Sequence, residues 1–403
     1  MIIRSKRIYF EDGVRDGYLV TEGRKIVGFL DKSAAVKDYV DYTDHRIIPG
    51  IFDTHNHGTH GYCPQGFQKG KEEVYGYLKG LAANGVANVF PTMEFYEGTN
   101  NYKRIAEIVQ EEVDGATILG IHSEDTERLG HRVGEKGVPI GEFPVDMDLV
   151  RATWENAEGL LKLCGVAPEK ENGYEAIDYL NSKGVKVAFM HSDATYEEAM
   201  EAFKRGVYVS THTCNVMRGI HHRNMGGLGA CLLDEDLYNE LICDFLHVRK
   251  EMITLMFKVK PNMDKWIMIS DNVTIAGAPP GKYRDFEDES RYHIITEEGF
   301  CLDPNGRLSG SAKPVLYGIY NLVEKLGLPM ETVIRMAALN PARAYGFDEE
   351  KGSIKLGKDA DLAVIDDAYQ CVATYANGRK VFDRDVDKNL FNEEYLRQHY
   401  ISE

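Results

Sequence analysis

Pro49-Gly50-Ile51-Phe52-Asp53-Thr54-His55-Asn56-His57 is the stretch on which the reading of this chain turns. Its lead-in, Ile47 to Phe52, is apolar and rich in branched side chains, the composition of a buried strand. Side chains alternate faces along an extended strand, so His55 and His57 point the same way. Two imidazoles side by side at a strand end suit one divalent cation, whereas the same pair in an exposed turn would carry no chemistry. Further ligands from other strands would decide between the two.

Moving outward, apolar runs alternate with segments of helical periodicity. The runs are Ala87–Met93, Thr117–Glu124, Leu161–Val166, Val185–His191, Val207–Asn215, Leu241–Val248 and Lys265–Asp271. With the histidine strand they make eight strand–helix units over roughly 250 residues, which predicts a (β/α)8 TIM-type barrel. The rival, an open doubly wound sheet, would carry a glycine-rich phosphate turn after its first strand, and none is present. Short β-rich runs occupy both chain ends: Met1–Ile3, Arg7–Phe10, Gly17–Thr21 and Lys25–Leu30, then Leu362–Ile365, Cys371–Tyr375 and Lys380–Phe382. They are expected to join as one small β-sandwich. The expected division is therefore 1–48 and 349–403 for the β domain and 49–348 for the barrel.

Composition narrows the function classes. The 403 residues carry a formal net charge of −17, which argues against nucleic acid or an anionic membrane as main partner. No uncharged apolar run reaches the ~20 residues of a membrane span, and the basic start reads as no signal peptide. Seven cysteines without a CxxC pair are expected to be reduced thiols in a cytoplasmic protein.

Polar residues end the apolar runs. Asp53, His55 and His57 close the first; His122 and Glu124 the third; His191, His212 and His247 the fifth to seventh; Asp271 the eighth. Parallel barrel strands bring these ends to one face, where six of the thirteen histidines would gather. His122 reads equally well as a core histidine, and Asp271 alone could be a turn cap. Together the residues predict a metal-hydrolase centre.

The motif series Asp53-x-His55-x-His57, Gly120-Ile121-His122-x-Glu124, His191-Ser192-Asp193, Thr211-His212-x-x-Asn215-x-Met217, His221-His222-Arg223, Asp244-x-x-His247 and Ser270-Asp271 resembles the amidohydrolase superfamily, most closely its N-acetylglucosamine-6-phosphate deacetylase branch. The resemblance continues through Leu308-x-Gly310-Ser311, Asn340-Pro341-Ala342-Arg343 and Gly352-Ser353-Ile354. It implies hydrolysis of an N-acetylated amino-sugar phosphate to amine and acetate. Glu124, His191 and His212 would bind one divalent metal, with zinc expected ahead of iron or manganese. His55 and His57, absent from some relatives, would allow a second ion bridged by Glu124. Asp271 would be the general base working on metal-activated water and the acid for the leaving amine. His247 would contact the sugar or its amide. Asn215, His222 and Arg223 would hold the phosphate, the arginine reaching across a homodimer interface.

Three segments depart from the branch. Asp125-Thr126-Glu127 replaces Gly-Pro-Phe, Thr213-Cys214 replaces Leu-Phe, and Lys136-Gly137-Val138-Pro139 lacks a substrate-contacting histidine, for which His131 is the candidate stand-in. All three border the substrate pocket, so another N-acyl sugar or a cyclic amide is the alternative substrate. A non-catalytic binding barrel would call for a damaged ligand set.

Overall fold

A computed structural model describes residues 1–67, 69–134, 139–141, 143–285 and 291–401. Eight parallel strands follow one another around a barrel: Ile51–Asn56, Val86–Met93, Ile121–Ser123, Leu161–Val166, Lys186–Phe189, Val207–Ser210, Tyr238–Ile242 and Trp266–Ile269. Each pairs with the next in register order. The ring closes at the carboxyl ends of the first and eighth strands. There the Asp271 N–H donates to the His55 carbonyl (2.9 Å) and the His57 N–H to the Asn272 carbonyl (2.8 Å). Side chains fill the interior, as in a packed barrel. Phe52 and Phe90 stack edge to face at 5.0 Å, Leu163, Ala188 and Val209 form a second layer, and Tyr345 packs against both groups. The larger apolar shell lies between strands and surrounding helices. No described helix is long and apolar enough to cross a membrane.

The chain ends build one mixed sheet. From edge to edge it runs Arg379–Asp383, Cys371–Ala376, Leu362–Ile365, Arg46–Pro49, Ile2–Phe10, Gly13–Glu22 and Lys25–Asp31. Residues 357–360 bond back to the far edge strand through Ile26 and Arg24, so the sandwich is a single sheet wrapped around its own core of Ile3, Ile8, Leu19, Ile47, Leu362 and neighbours. Arg46–Pro49 of this sheet runs straight into the first barrel strand across Gly50. A Cβ at Gly50 would lie 2.5 Å from the Ala87 Cβ, so only glycine lets the two layers meet.

The strands are shorter than their apolar runs suggest. The seventh ends at Ile242, because the Asp244 carboxylate accepts the N–H groups of Leu246 and His247 (2.8 and 2.9 Å) and pulls the backbone out of the ladder. Apolar Leu246 and Val248 therefore belong to a loop. At the amino end, the two expected strands are one, Ile2–Phe10, interrupted by a bulge between Ser5 and Ile8. The tail also differs from expectation. Beyond Asp383 the chain leaves the β domain, forms the helix Glu393–His399 and pairs Tyr400–Ile401 with Gly281–Arg284 beside the barrel's cavity. Asn392 anchors this return: its N–H donates to the His60 carbonyl and its side chain to that of Gly61.

Candidate active site

The strand ends converge on a cluster with two lobes that share Glu124. In the first, His55 Nε2 and His57 Nε2 lie 3.3 Å apart. Glu124 Oε2 is 3.1 and 2.9 Å from them, and Asp271 Oδ1 3.3 and 3.4 Å. In the second, His191 Nε2 and His212 Nε2 are 3.1 Å apart, with Glu124 Oε1 at 3.5 and 3.3 Å. His55, Glu124, His191, His212 and Asp271 are buried, and His57 is half-buried. His191, His212 and Asp271 adopt positive φ angles of 42°, 26° and 52°. These left-handed residues each cost about 1–2 kcal/mol and turn the chain sharply where a strand ends.

The donor set fits divalent cations. Ligands ~2.0–2.1 Å from a tetrahedral ion lie about 3.3–3.4 Å from one another, and the contacts in the two lobes, 2.9 to 3.5 Å, bracket that spacing. Ring nitrogens facing ring nitrogens make poor hydrogen bonds, and Glu124 Oε1 is buried with no hydrogen-bond partner. One carboxylate oxygen per lobe would let Glu124 bridge two ions. In the protein alone, burial opposes charge on His57, but Asp271 and Glu124 outweigh it and raise its pKa to about 9. His55 is raised well above the usual histidine range, burial again losing to Glu124 and Asp271. Against burial, His55 and His57 hold Asp271 down at about 2. Glu124 lies well below the usual carboxylate range; burial opposes this, and His55, His191 and His212 prevail. The carboxylates are thus charged and ready to neutralise a cation.

A cavity of about 780 Å³ opens over the cluster. His57, Glu124, His191, His212 and Asp271 line its floor, and His247, Asn215 and Cys214 its side. His247 Nδ1 bonds Asp244 Oδ2 (2.8 Å), which also accepts the Ser311 hydroxyl (3.1 Å). Burial disfavours the imidazolium, but Asp244 raises the His247 pKa. Among the described residues its buried Nε2 has no hydrogen-bond partner, which leaves it available to a group in the cavity. Asn215 uses its backbone N–H and side-chain amide on the His212 carbonyl, both at 3.0 Å.

Other expected residues lie elsewhere. His222 and Arg223 sit on an exposed turn closed by His221 and Asn224 and do not line the cavity. His131 is also outside it. Its Nε2 is 2.9 Å from Glu169 Oε1 and its N–H donates to the His191 carbonyl, so it braces the backbone at His191. His122 is a core histidine, its Nδ1 3.1 Å from the Thr92 hydroxyl. In the altered loop, the Asp125 carboxylate closes a turn onto Arg128 and leaves Thr126 facing the cavity. Lys136-Gly137-Val138 lies outside the described residues.

Sequence reasoning passed over Glu240 and Tyr395, and named Asp53 without giving it a role. Glu240 lies inside the barrel against His55; an acidic residue within the run Tyr238–Ile242 was the available signal. Asp53 accepts the Ser270 hydroxyl (2.5 Å) and the Asn56 amide (3.1 Å), tying the first strand to the eighth just before Asp271. Burial pushes its pKa up to about 6 against those bonds. Tyr395, from the returning tail, lines the cavity, and nothing in its local sequence marks it.

The sequence model of the amidohydrolase family matches residues 46–390. The chain is 30% identical over 346 residues to the N-acetylglucosamine-6-phosphate deacetylase of Vibrio furnissii, covering 84% of this chain and 83% of that one. It is 27% identical to the N-acetylgalactosamine-6-phosphate deacetylase of Escherichia coli O157:H7, over 94% and 98% of the two chains. The crystal structure of N-acetylglucosamine-6-phosphate deacetylase from Pasteurella multocida superposes with a TM-score of 0.80 at 26% identity, covering 94% of this chain and 99% of that one. With its barrel, its two-lobed histidine–carboxylate centre and a match across most of its length, this chain belongs to the amidohydrolase family.

Proposed function

We propose that this protein is a metal-dependent deacetylase that hydrolyses N-acetylglucosamine 6-phosphate to glucosamine 6-phosphate and acetate. The observation that carries the reading is Asp271, a buried carboxylate that touches the two-lobed centre and faces the cavity. His55, His57, Glu124, His191 and His212 would hold one or two divalent ions, with zinc the first candidate. A bound ion polarises the scissile carbonyl and makes water acidic enough to ionise near neutral pH. Asp271 takes the proton as the water oxygen bonds to the acyl carbon. It then returns that proton to the nitrogen as the C–N bond breaks, so acetate and the free amine leave. His247, oriented by Asp244, holds the amide carbonyl or a sugar hydroxyl through Nε2.

Phosphate recognition is assigned to Asn215 together with His222 and Arg223 of a second copy, because that turn is exposed and stands apart from its own cavity. The proposed state is a cytoplasmic homodimer. The galactosamine epimer is the second substrate reading, favoured by the relative that carries its name over nearly its whole length. Acetate release from both phosphorylated epimers, their unphosphorylated forms and a cyclic amide tests these readings. Turnover of the cyclic amide alone would refute the deacetylase assignment. Arg223→Ala is expected to raise KM for phosphorylated substrates only.

A further inference from the structure

We infer that Glu240 is a positioning residue that sets the affinity of the first cation lobe through the far nitrogen of His55. Glu240 lies in the seventh strand, Tyr238–Ile242, with its side chain fully buried inside the barrel. A carboxylate there costs several kcal/mol unless its partners repay the lost hydration. Among the described residues it has no lysine or arginine partner, and its one ion-pair contact is His55, with Oε2 3.2 Å from Nδ1. Oε1 accepts the hydroxyl of Thr54 at 3.1 Å, which fixes the carboxyl plane. A carboxylate only accepts, so His55 Nδ1 carries a proton, and in the neutral ring that a cation requires Nε2 turns its lone pair toward Glu124, His57 and Asp271.

Among the described residues the second lobe has no such brace. His191 Nδ1 and His212 Nδ1 are buried without a hydrogen-bond partner. The lobes thus differ in the group behind the imidazole as well as in ligand number. Glu240 also reaches the second lobe's neighbourhood, but only by its backbone: its carbonyl accepts the Thr213 N–H at 2.7 Å. A side-chain change at this position leaves that bond in place. The prediction is therefore selective: losing the carboxylate weakens one ion and spares the other.

This inference rests on the two-cation reading of the centre, and the test separates the two. Metal-free wild type, Glu240→Gln, Glu240→Ala and His55→Ala would be titrated with Zn²⁺ against a chromophoric chelator, and bound metal counted after dialysis. Metal-free melting temperatures would be measured alongside. Wild type is expected to bind two ions. Glu240→Gln keeps the volume and an acceptor oxygen, and should bind one of the two about tenfold more weakly. Glu240→Ala should approach a hundredfold, the range found when carboxylates behind metal-bound histidines are removed. The other ion should bind as in wild type, and the metal-free Glu240→Gln protein should melt within a few degrees of wild type. Wild-type affinity for both ions in Glu240→Gln overturns the inference, as does equal weakening of both. If His55→Ala also binds like wild type, the two-cation reading has failed; if only His55→Ala loses an ion, the role of Glu240 alone has failed.

Discussion

Asp271→Asn removes the proposed proton carrier with the least disturbance of its surroundings. Asp271 sits at φ 52°, a conformation asparagine tolerates better than alanine. Its backbone is held on both sides, by the N–H of Ser311 donating to its carbonyl (2.7 Å) and by its own N–H on the His55 carbonyl (2.9 Å). The substitution should therefore leave barrel closure intact. It deletes the charge of an oxygen 3.3 and 3.4 Å from two imidazoles and leaves an amide that cannot accept the water proton. A positioned general base contributes about 10²- to 10⁴-fold, so kcat should fall by that factor, about 3–5 kcal/mol of barrier. The first lobe also loses a charged oxygen, so activity must be read at saturating metal with bound ions counted in the same sample. Acetate release from N-acetylglucosamine 6-phosphate is the assay. A variant that holds both ions and keeps kcat within tenfold of wild type would refute the role.

Three further outcomes follow from the same geometry. His247→Asn removes the cavity-facing Nε2, and kcat/KM should drop about ten- to hundredfold, the value of one hydrogen bond to a charged or polarised group; an unchanged kcat/KM would remove His247 from the substrate. In metal-free protein, the pKa of His57 is raised to about 9 from an unfolded value near 6.5, so its contribution to stability is complete below pH 6.5 and lost as the pH climbs through 9. Metal binding needs the neutral ring, so metal affinity should rise over that interval while metal-free stability falls; scanning fluorimetry from pH 6.5 to 9.5, with His57→Gln as reference, would show a flat metal-free difference if this is wrong. Gly50→Ala places a methyl 2.5 Å from the Ala87 Cβ and 3.1 Å from the Asp361 carbonyl carbon; an overpacking cost of about 1–3 kcal/mol should lower the melting temperature, and an unaltered melt would show that the two layers yield there.

The barrel was legible because each strand is a run of apolar residues bounded by polar ones, and burial on both faces leaves that signature whatever the exact ends. The site was legible for the same reason: the polar residue that breaks a run is the one left at the strand's carboxyl end. Sequence pattern and structure part where a side chain acts on the backbone. Asp244 ends the seventh strand at Ile242, six residues before its apolar run stops at Val248, so His247 belongs to a turn. They part again at Glu240, which lies in the strand but just ahead of the run Leu241–Val248, because an isolated acid beside apolar residues looks the same whether it caps, braces or binds. His131 shows the converse error, since closeness in sequence to a loop said nothing of its bond to Glu169. Tyr395 was beyond reach, because only the tertiary path of the tail brings it to the cavity.

The wrapped sheet has a consequence for how the chain is made. Its strand Arg46–Pro49 takes Leu362–Ile365 as its neighbour, with the entire barrel encoded between them. During synthesis the four amino-terminal strands of this sheet must wait with that edge unpaired until the ribosome has finished every barrel unit. An unpaired edge of Ile47, Ile48 and Pro49 is a template for pairing with another nascent chain. Proline at the strand's last position and the flanking Arg46 blunt that edge in the interval. The late strand is then less an appendage than a latch, and the order of translation puts its arrival after every barrel unit.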